Sequence, residues 1–318
     1  MGNLIDCNGP EPLPHGEQKN GVPASPGVKK VASSSSTAAA IPTLDPAQWL
    51  SFTLIEKVEL SPDTRLFRFA LPSSAHCLGL PIGKHVWMRF TPPGGGEDDV
   101  VQRSYTPTSS DSDLGTVDFV IKVYFAGVHP KFPAGGQLTQ HLESLPIGAA
   151  VEMRGPKGRL SYAGRGRIEI EEYGEPTPDV RTVQRIGMIA GGTGITPMLQ
   201  IIRAVFADPE DTTELALIFA NKSVDDILLR KELEILVAAQ PERFRLHFTL
   251  DAPPADWPST YSSGFVNAAM IAANLPAVSA AGDHSTQILM CGPPPMMRFA
   301  CVPALKELGF TEDDWFRF

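Results

Sequence analysis

Long apolar runs are missing from this 318-residue chain. No stretch approaches the roughly 18 apolar residues that a membrane-spanning helix requires, and the first residues lack the basic start and apolar middle of a secretory signal. Cysteine is scarce as well. Cys7, Cys77, Cys291 and Cys301 are scattered, without the close pairs of a metal site or a disulfide framework, which favours a reducing, cytoplasmic setting. There is no Ser/His/acid order, no H-E-x-x-H and no P-loop lysine, so hydrolase and metalloenzyme readings have no motif behind them. Excess positive charge is also missing. A formal net charge of -9 repels nucleic acid, and an acidic partner would have to dock on a local basic patch. Met1-Gly2 could expose a glycine for myristoylation, but Asp6 stands where that motif takes Ser or Thr, leaving peripheral attachment by lipidation open and weakly supported.

What is present divides into two rhythms. Hydrophobic content of 42% and charged content of 20% are those of a globular protein, and 318 residues suffice for two domains with separate cores. Residues 1–47, rich in Pro, Gly, Ser and Ala, read as a disordered tail. Over 48–164, six short β-rich runs (51–61, 64–72, 85–90, 100–109, 116–125 and 149–155) follow one another without long helices between them, which predicts an antiparallel six-stranded barrel. Residues 165–184 read as a linker that can include a strand at 167–173. From 185 to 318 strands alternate with helices: strand 185–190, helix 197–207, strand 214–220, helix 225–239, strand 243–250, strand 287–291 and a last helix. That rhythm predicts a parallel α/β domain whose ligands sit beyond the carboxyl ends of its strands.

Four motifs carry chemistry. Gly191-Gly192-Thr193-Gly194-Ile195-Thr196-Pro197 follows an apolar strand, so its glycines permit a sharp turn and bring backbone N–H groups near an anion, with Thr196 able to cap the helix and Pro197 suited to its first turn. A plain strand-to-helix turn is the simpler reading. Arg103-Ser104-Tyr105-Thr106-Pro107 ends a barrel strand and offers a phosphate-binding guanidinium, a flat ring and a hydroxyl, although an ordinary strand with one surface Arg fits too. Alternation puts Arg103 and Tyr105 on one face. Phe132 to Thr139 is a second Gly-rich loop leading into the helical run 140–145, either a phosphate cradle or a surface turn. Cys291-Gly292-Pro293-Pro294-Pro295-Met296 places a thiol at the end of a strand, where packing alone would also explain it. His85, His129 and His141 read as surface or packing residues.

Together, and in this order, these motifs resemble the flavin reductase family of NADH-cytochrome b5 reductase, from Phe52 to Phe318, with LFRFALP, HPKFPAGG, ILLRKELE and CGPPPMM in agreement. The flavin module of eukaryotic nitrate reductase is similar too, sharing HPKFP and CGPPPM. TLDAPPADW followed by GFVN, and the missing molybdenum and haem portions, lean toward a stand-alone reductase over that module or a diaphorase with another acceptor. The resemblance implies an FAD-binding barrel, an NADH-binding α/β domain and electron transfer to cytochrome b5 or a similar acidic haem protein, by a monomer. It implies that Arg103 meets the FAD pyrophosphate, that Ser104 and Tyr105 line the flavin, and that Thr106 lies near its N5. Val120, Lys122 and Tyr124 would border the same cofactor, with Lys122 also favouring NADH. Phe132, Gly135, Gly136, Gln137, Leu138 and Thr139 would hold the flavin's phosphate half. Gly191, Gly192, Thr193 and Thr196 would border the nicotinamide and flavin, Asp251 and Phe265 the adenosine half of NADH, and Cys291, Gly292 and Pro293 the nicotinamide. Thr106, Lys122 and Cys291 would be the catalytic group. Ser104 replaces a common Pro, and Gln137 replaces a commonly basic residue, which weakens one contact to an acidic partner. Lys157, Arg159, Arg165 and Arg167 form a sequence-clustered candidate for that partner's docking patch.

Overall fold

Alternation of buried and exposed positions builds the first half. The strands Leu50–Ser61 (β2), Thr64–Ala70 (β3), His85–Phe90 (β5), Val101–Tyr105 (β6), Thr116–Lys122 (β7) and Ala150–Lys157 (β8) turn Phe52, Leu54, Phe67, Phe69, Val86, Met88, Val117, Phe119, Val151 and Met153 to one side. In the computed structural model, which describes residues 39–128, 132–280 and 283–318, these side chains fuse into one core, with Phe69 and Phe119 edge to face at 6.1 Å. The strands pair antiparallel in the order β6-β5-β8-β2-β3-β7. The sheet's two edge strands, β6 and β7, do not pair with each other, and near them the Thr108 N–H donates to Asp118 O at 2.8 Å. Gly136 caps the helix Gln137–Ser144 (α1), which lays Leu138 and Leu142 into this core. Order begins before residue 48: Ile41–Pro42 (β1) pairs in parallel with His76–Cys77 (β4), and Leu44 N–H donates to Leu78 O at 3.0 Å. The rest of the tail, residues 1–38, lies outside the described residues, as do His129 and Lys131 of HPKFP.

The stretch read as a linker, 165–184, supplies two strands of a small antiparallel sheet whose third strand comes from residues 160–164. Leu160–Gly164 (β9), Arg167–Ile170 (β10) and Asp179–Thr182 (β11) pair in that order. Leu160, Tyr162, Ile168 and Ile170 are buried, and they join the core that carries Ile186, Met188, Met198 and Leu199 of the second half. A buried polar knot pins this junction. Tyr162 Oη donates to Asp211 Oδ2 at 2.5 Å, the Arg165 N–H donates to the same oxygen at 2.8 Å, and Thr213 Oγ1 donates to Oδ1 at 2.6 Å.

The second half is a parallel sheet. Arg185–Gly191 (β12), Glu214–Asn221 (β13), Phe244–Leu250 (β14), Ser262–Ser263 (β15), Thr286–Cys291 (β16) and Trp315–Arg317 (β17) lie in the order β15-β14-β13-β12-β16-β17, every neighbour parallel. The near-continuous burial of β12, β13 and β16 is what a sheet covered on both faces requires. Ile195–Ala207 (α2) and Arg230–Ala239 (α3) cover one face, and Ala268–Asn274 (α4), Pro294–Met296 (α5) and Val302–Glu307 (α6) run along the other. The single helix expected over 225–239 is broken. Val224–Asp226 forms a short turn, Ile227 and Leu228 plunge into the core, and Leu229 takes φ +56° before α3 starts. The chain also ends on a strand, β17, after the last helix. No helix among the described residues is long and apolar enough to cross a membrane.

The Tyr162–Asp211 knot has a testable energetic signature. Burial alone would raise the Asp211 carboxyl, but hydrogen bonds from Thr213, Tyr162 and the Arg165 backbone outweigh it and hold that carboxyl below its ordinary value. A depressed carboxylate stabilises the fold above its unfolded value of about 3.9 and loses that contribution as pH falls through the folded value. Tyr162→Phe should cost about 1–3 kcal/mol in urea unfolding at pH 7. Asp211→Asn should flatten the acid limb of the stability profile below about pH 4, and an unchanged limb would show that the acid loss arises elsewhere.

Candidate cofactor and nucleotide site

The Gly-rich turn Gly191 to Gly194 and the loop Cys291 to Pro293 leave the carboxyl ends of adjacent strands, with Ala190 paired to Cys291. This is where the sheet order reverses, since β13 lies on one side of β12 and β16 on the other. The two loops interlock backbone to backbone. A Cβ on Gly194 would stand 2.1 Å from Cys291 O, and one on Gly191 would stand 2.6 Å from Met296 Sδ. At Gly192, φ is +54° and a Cβ would meet nothing within 4 Å, so the turn borders open space. Helix α2 starts at Ile195, two residues before the expected Pro197, and no side chain caps it. Thr196 therefore does not act as the expected cap: it lies inside the first turn, and its hydroxyl donates to Thr193 O at 3.1 Å.

The barrel edge β7 approaches the Gly192–Gly194 turn. On β6, Arg103 and Tyr105 sit opposite the buried residues Met88 and Val86, so they share the core-facing side, as alternation predicts. Arg103 is exposed and bonds only Gln102 O, at 2.6 Å, with no carboxylate partner among the described residues. Burial pushes the Tyr105 phenol up, so it stays protonated at neutral pH. Ser104 faces the other way, and Thr106 is half-buried just beyond the strand. On β7, Val120 turns away from the barrel core and packs in the cluster of the α/β half. Lys122, two residues on, reaches across. Its Nζ lies 2.7 Å from Asp63 Oδ2 in the β2–β3 turn and 2.8 Å from Asp226 Oδ1 in the α/β half. Burial would lower this ammonium's pKa, but the two carboxylates outweigh it and raise it. Gly83 N–H to Gln200 Oε1 at 2.7 Å, and Arg203 to Thr108 O, tie the same two halves together.

The second Gly-rich loop is held by Tyr124. The Gly136 N–H donates to Tyr124 O at 2.8 Å, and a Cβ on Gly135 would stand 2.3 Å from that oxygen. Thr139 Oγ1 accepts the Tyr124 N–H at 3.2 Å and donates to Gly136 O at 3.1 Å, so its hydroxyl shapes the loop. Leu138 is buried in the barrel core and can offer a ligand only its backbone. Gln137 and Phe132 are exposed beside it. No side chain caps α1 here. Its first N–H groups thus remain available to an anion.

Cys291 is half-buried, and burial pushes its thiol up to about 11. It stays protonated, and a protonated thiol is a poor nucleophile. Asp251 follows β14 beside the end of β13, its N–H donating to Asn221 O at 3.0 Å. Its carboxylate makes no hydrogen bond or ion pair among the described residues. Phe265 is 74% exposed on the following loop.

Two readings of the sequence need correction or completion. The basic cluster is not free: Arg159 pairs with Glu172, Arg165 with Asp208 and Glu210, and Arg167 with Glu169, while Lys157 lies over the Trp87 ring. Asp63 and Asp226, which hold Lys122, carried no signal for that role. The Ser223-x-x-Asp226 spacing marks a cap, and the cap forms, but a partner 104 residues away is not written in it.

Residues 51–162 match the model of the oxidoreductase FAD-binding domain, and 188–302 that of the oxidoreductase NAD-binding domain. The chain is 51% identical over 269 residues to human NADH-cytochrome b5 reductase 1, covering 85% of each chain. It is 47% identical to NADH-cytochrome b5 reductase 2 of Xenopus laevis, over 91% of this chain and 94% of that one. The crystal structure of the cytochrome b5 reductase domain of Ulva prolifera nitrate reductase superposes with a TM-score of 0.78 at 41% identity, over 87% of this chain and all of that domain. An open antiparallel barrel set against a parallel sheet at its switch point, with this level of identity over most of the length, places the chain in the NADH-cytochrome b5 reductase family of FAD- and NAD-binding oxidoreductases.

Proposed function

We propose that the chain passes electrons from NADH to cytochrome b5 or a similar acidic haem protein. The observation that carries this reading is the approach of β7, an unpaired barrel edge, to the switch-point side of the parallel sheet, with Val120 packed in the α/β core and Lys122 spanning the gap to Asp226. FAD, when bound, takes two electrons as hydride from NADH and can return them singly, which is what a one-electron haem acceptor requires. The unpaired guanidinium of Arg103 and the uncapped start of α1 suit the two phosphates of a dinucleotide flavin better than the single phosphate of FMN. Tyr105 presents a neutral aromatic body and Thr106 a hydroxyl at the strand's end, while Val120 brings apolar packing to the same wall.

On the nucleotide side, the interlocked loops set Gly192 beside open space, with Cys291 at the floor as a neutral thiol that packs and positions. Hydride transfer between stacked rings asks for geometry and the exclusion of water, and a protonated Cys291 with no basic partner fits that demand. Asp251 can accept hydrogen bonds from the adenosine ribose hydroxyls and repel a 2′-phosphate, and exposed Phe265 offers the adenine a flat face. Cytochrome b5 as the acceptor rests on the relatives' names and on the match over most of their length.

Steady-state turnover of the FAD-loaded protein with oxidised cytochrome b5, ferricyanide and quinones tests the acceptor. Saturable cytochrome b5 reduction that slows with rising salt is expected. Turnover with ferricyanide or quinone alone would make the protein a diaphorase. Cys291→Ser should keep FAD bound yet slow flavin reduction by about one to two orders of magnitude, roughly 1.4–2.7 kcal/mol of lost positioning. An unchanged stopped-flow rate would return Cys291 to packing. NADH should be preferred over NADPH by at least about a hundredfold in kcat/KM, roughly 2.7 kcal/mol. Asp251→Thr should narrow that gap mainly by improving NADPH use, and a variant that only loses stability would leave Asp251 a turn residue.

A further inference from the structure

Lys122 has more negative charge around it than it can neutralise. Asp63 and Asp226 each accept one of its N–H donors, at 2.7 and 2.8 Å, so two carboxylates share one ammonium and one negative charge is left over. Asp226 is built to stay there. The Ser223 N–H and Oγ both donate to its Oδ2, at 3.1 and 2.8 Å, which turns Oδ1 toward Lys122. The loop that carries Asp226 runs beside the loop that carries Asp251. Asp251 N–H donates to Asn221 O at 3.0 Å and Ala252 N–H to Lys222 O at 2.9 Å, so the ends of β13 and β14 are laced together. Partial desolvation raises the Asp251 carboxyl, Lys222 opposes this, and the Asp226 charge adds to it, so the two carboxylates feel each other. Asp63, Asp226 and Asp251 thus outnumber Lys122 and Lys222 on this rim by one negative charge.

We propose that Asp226 is a second coenzyme-selecting carboxylate, which acts with Asp251 to exclude a 2′-phosphate while it orients the Lys122 ammonium toward the bound dinucleotide. The proposal rests on the reading of this cleft as the NADH site and extends it to a residue on a different loop. Uncompensated charge on the rim repels the added dianion of NADPH far more than the ribose hydroxyl of NADH, because the two coenzymes differ only there. Selection is then a property of the rim's summed charge. Removing one carboxylate relaxes it in part, and removing both relaxes it further.

The test is calorimetric titration of the FAD-loaded protein with NADP+ and NAD+, alongside kcat/KM for NADPH and NADH. Asp226→Asn removes the charge and keeps a single oxygen acceptor, which can serve Ser223 or Lys122 but not both. It should tighten NADP+ binding about tenfold at low salt and weaken NAD+ binding severalfold, with the NADP+ gain shrinking as ionic strength rises. Asp226→Glu keeps the charge and should retain the wild-type NADP+/NAD+ ratio. Asp226→Asn combined with Asp251→Thr should exceed either single change. The proposal fails if Asp226→Asn leaves the ratio within twofold while Asp251→Thr shifts it, an outcome that spares the NADH reading. It fails as well if Asp226→Glu shifts the ratio as far as Asn does, which would mark a structural effect. Wild-type protein that binds neither nucleotide would overturn both the proposal and the NADH reading beneath it.

Discussion

Backbone meets backbone where Gly194 lies against the carbonyl of Cys291, and the site depends on that approach. With 2.1 Å between a notional Cβ and that oxygen, any side chain at Gly194 would push the two loops apart. Because the loops leave adjacent parallel strands at the point where strand order reverses, their separation would spoil the one crevice the sheet provides. Beside this interlock the Cys291 thiol is buried enough that desolvation pushes it up to about 11, so it stays protonated at neutral pH.

The barrel meets this crevice through what it leaves undone. A sheet closed between β6 and β7 would consume the backbone groups and the space that the edges now present, whereas the contact at Thr108 and Asp118 steadies the edges and leaves the rest open. Cross-links from Gly83, Thr108 and Lys122 to Gln200, Arg203 and Asp226 keep the opening in register with the parallel sheet. Charge then does the sorting. Arg103 stands without a carboxylate partner among the described residues, while Asp226 and Asp251 lie on neighbouring loops at the ends of β13 and β14.

Much of this is legible in the sequence because it rests on local pattern. The six barrel strands announce themselves as short β-rich runs punctuated by Pro and Gly, the parallel strands by unbroken apolar runs, and the turns by glycine at Gly192 and Gly135, where positive φ is required. What is not legible rests on partners far along the chain. Asp208 and Glu210, which pair with Arg165, lie more than forty residues away, so the acidic partners of a basic cluster cannot be read from the cluster itself. The strand β11 is too short and polar to show a period, and β17 is defined by pairing with β16. The break at Leu229 follows from burying Ile227 and Leu228, a tertiary demand that overrides a strong helical pattern. Thr196 has the right type for a cap, but α2 begins one residue before it, and its hydroxyl turns back to a carbonyl.

The central claim is a two-electron donor coupled to a one-electron acceptor through a single flavin. Anaerobic titration of the purified yellow protein with NADH, followed in the visible spectrum and then by addition of oxidised cytochrome b5, tests it most directly. One NADH should bleach one FAD, and two cytochrome b5 molecules should then be reduced as the flavin colour returns. A flavin that NADH leaves oxidised, or a bleached flavin that leaves cytochrome b5 oxidised, would contradict it.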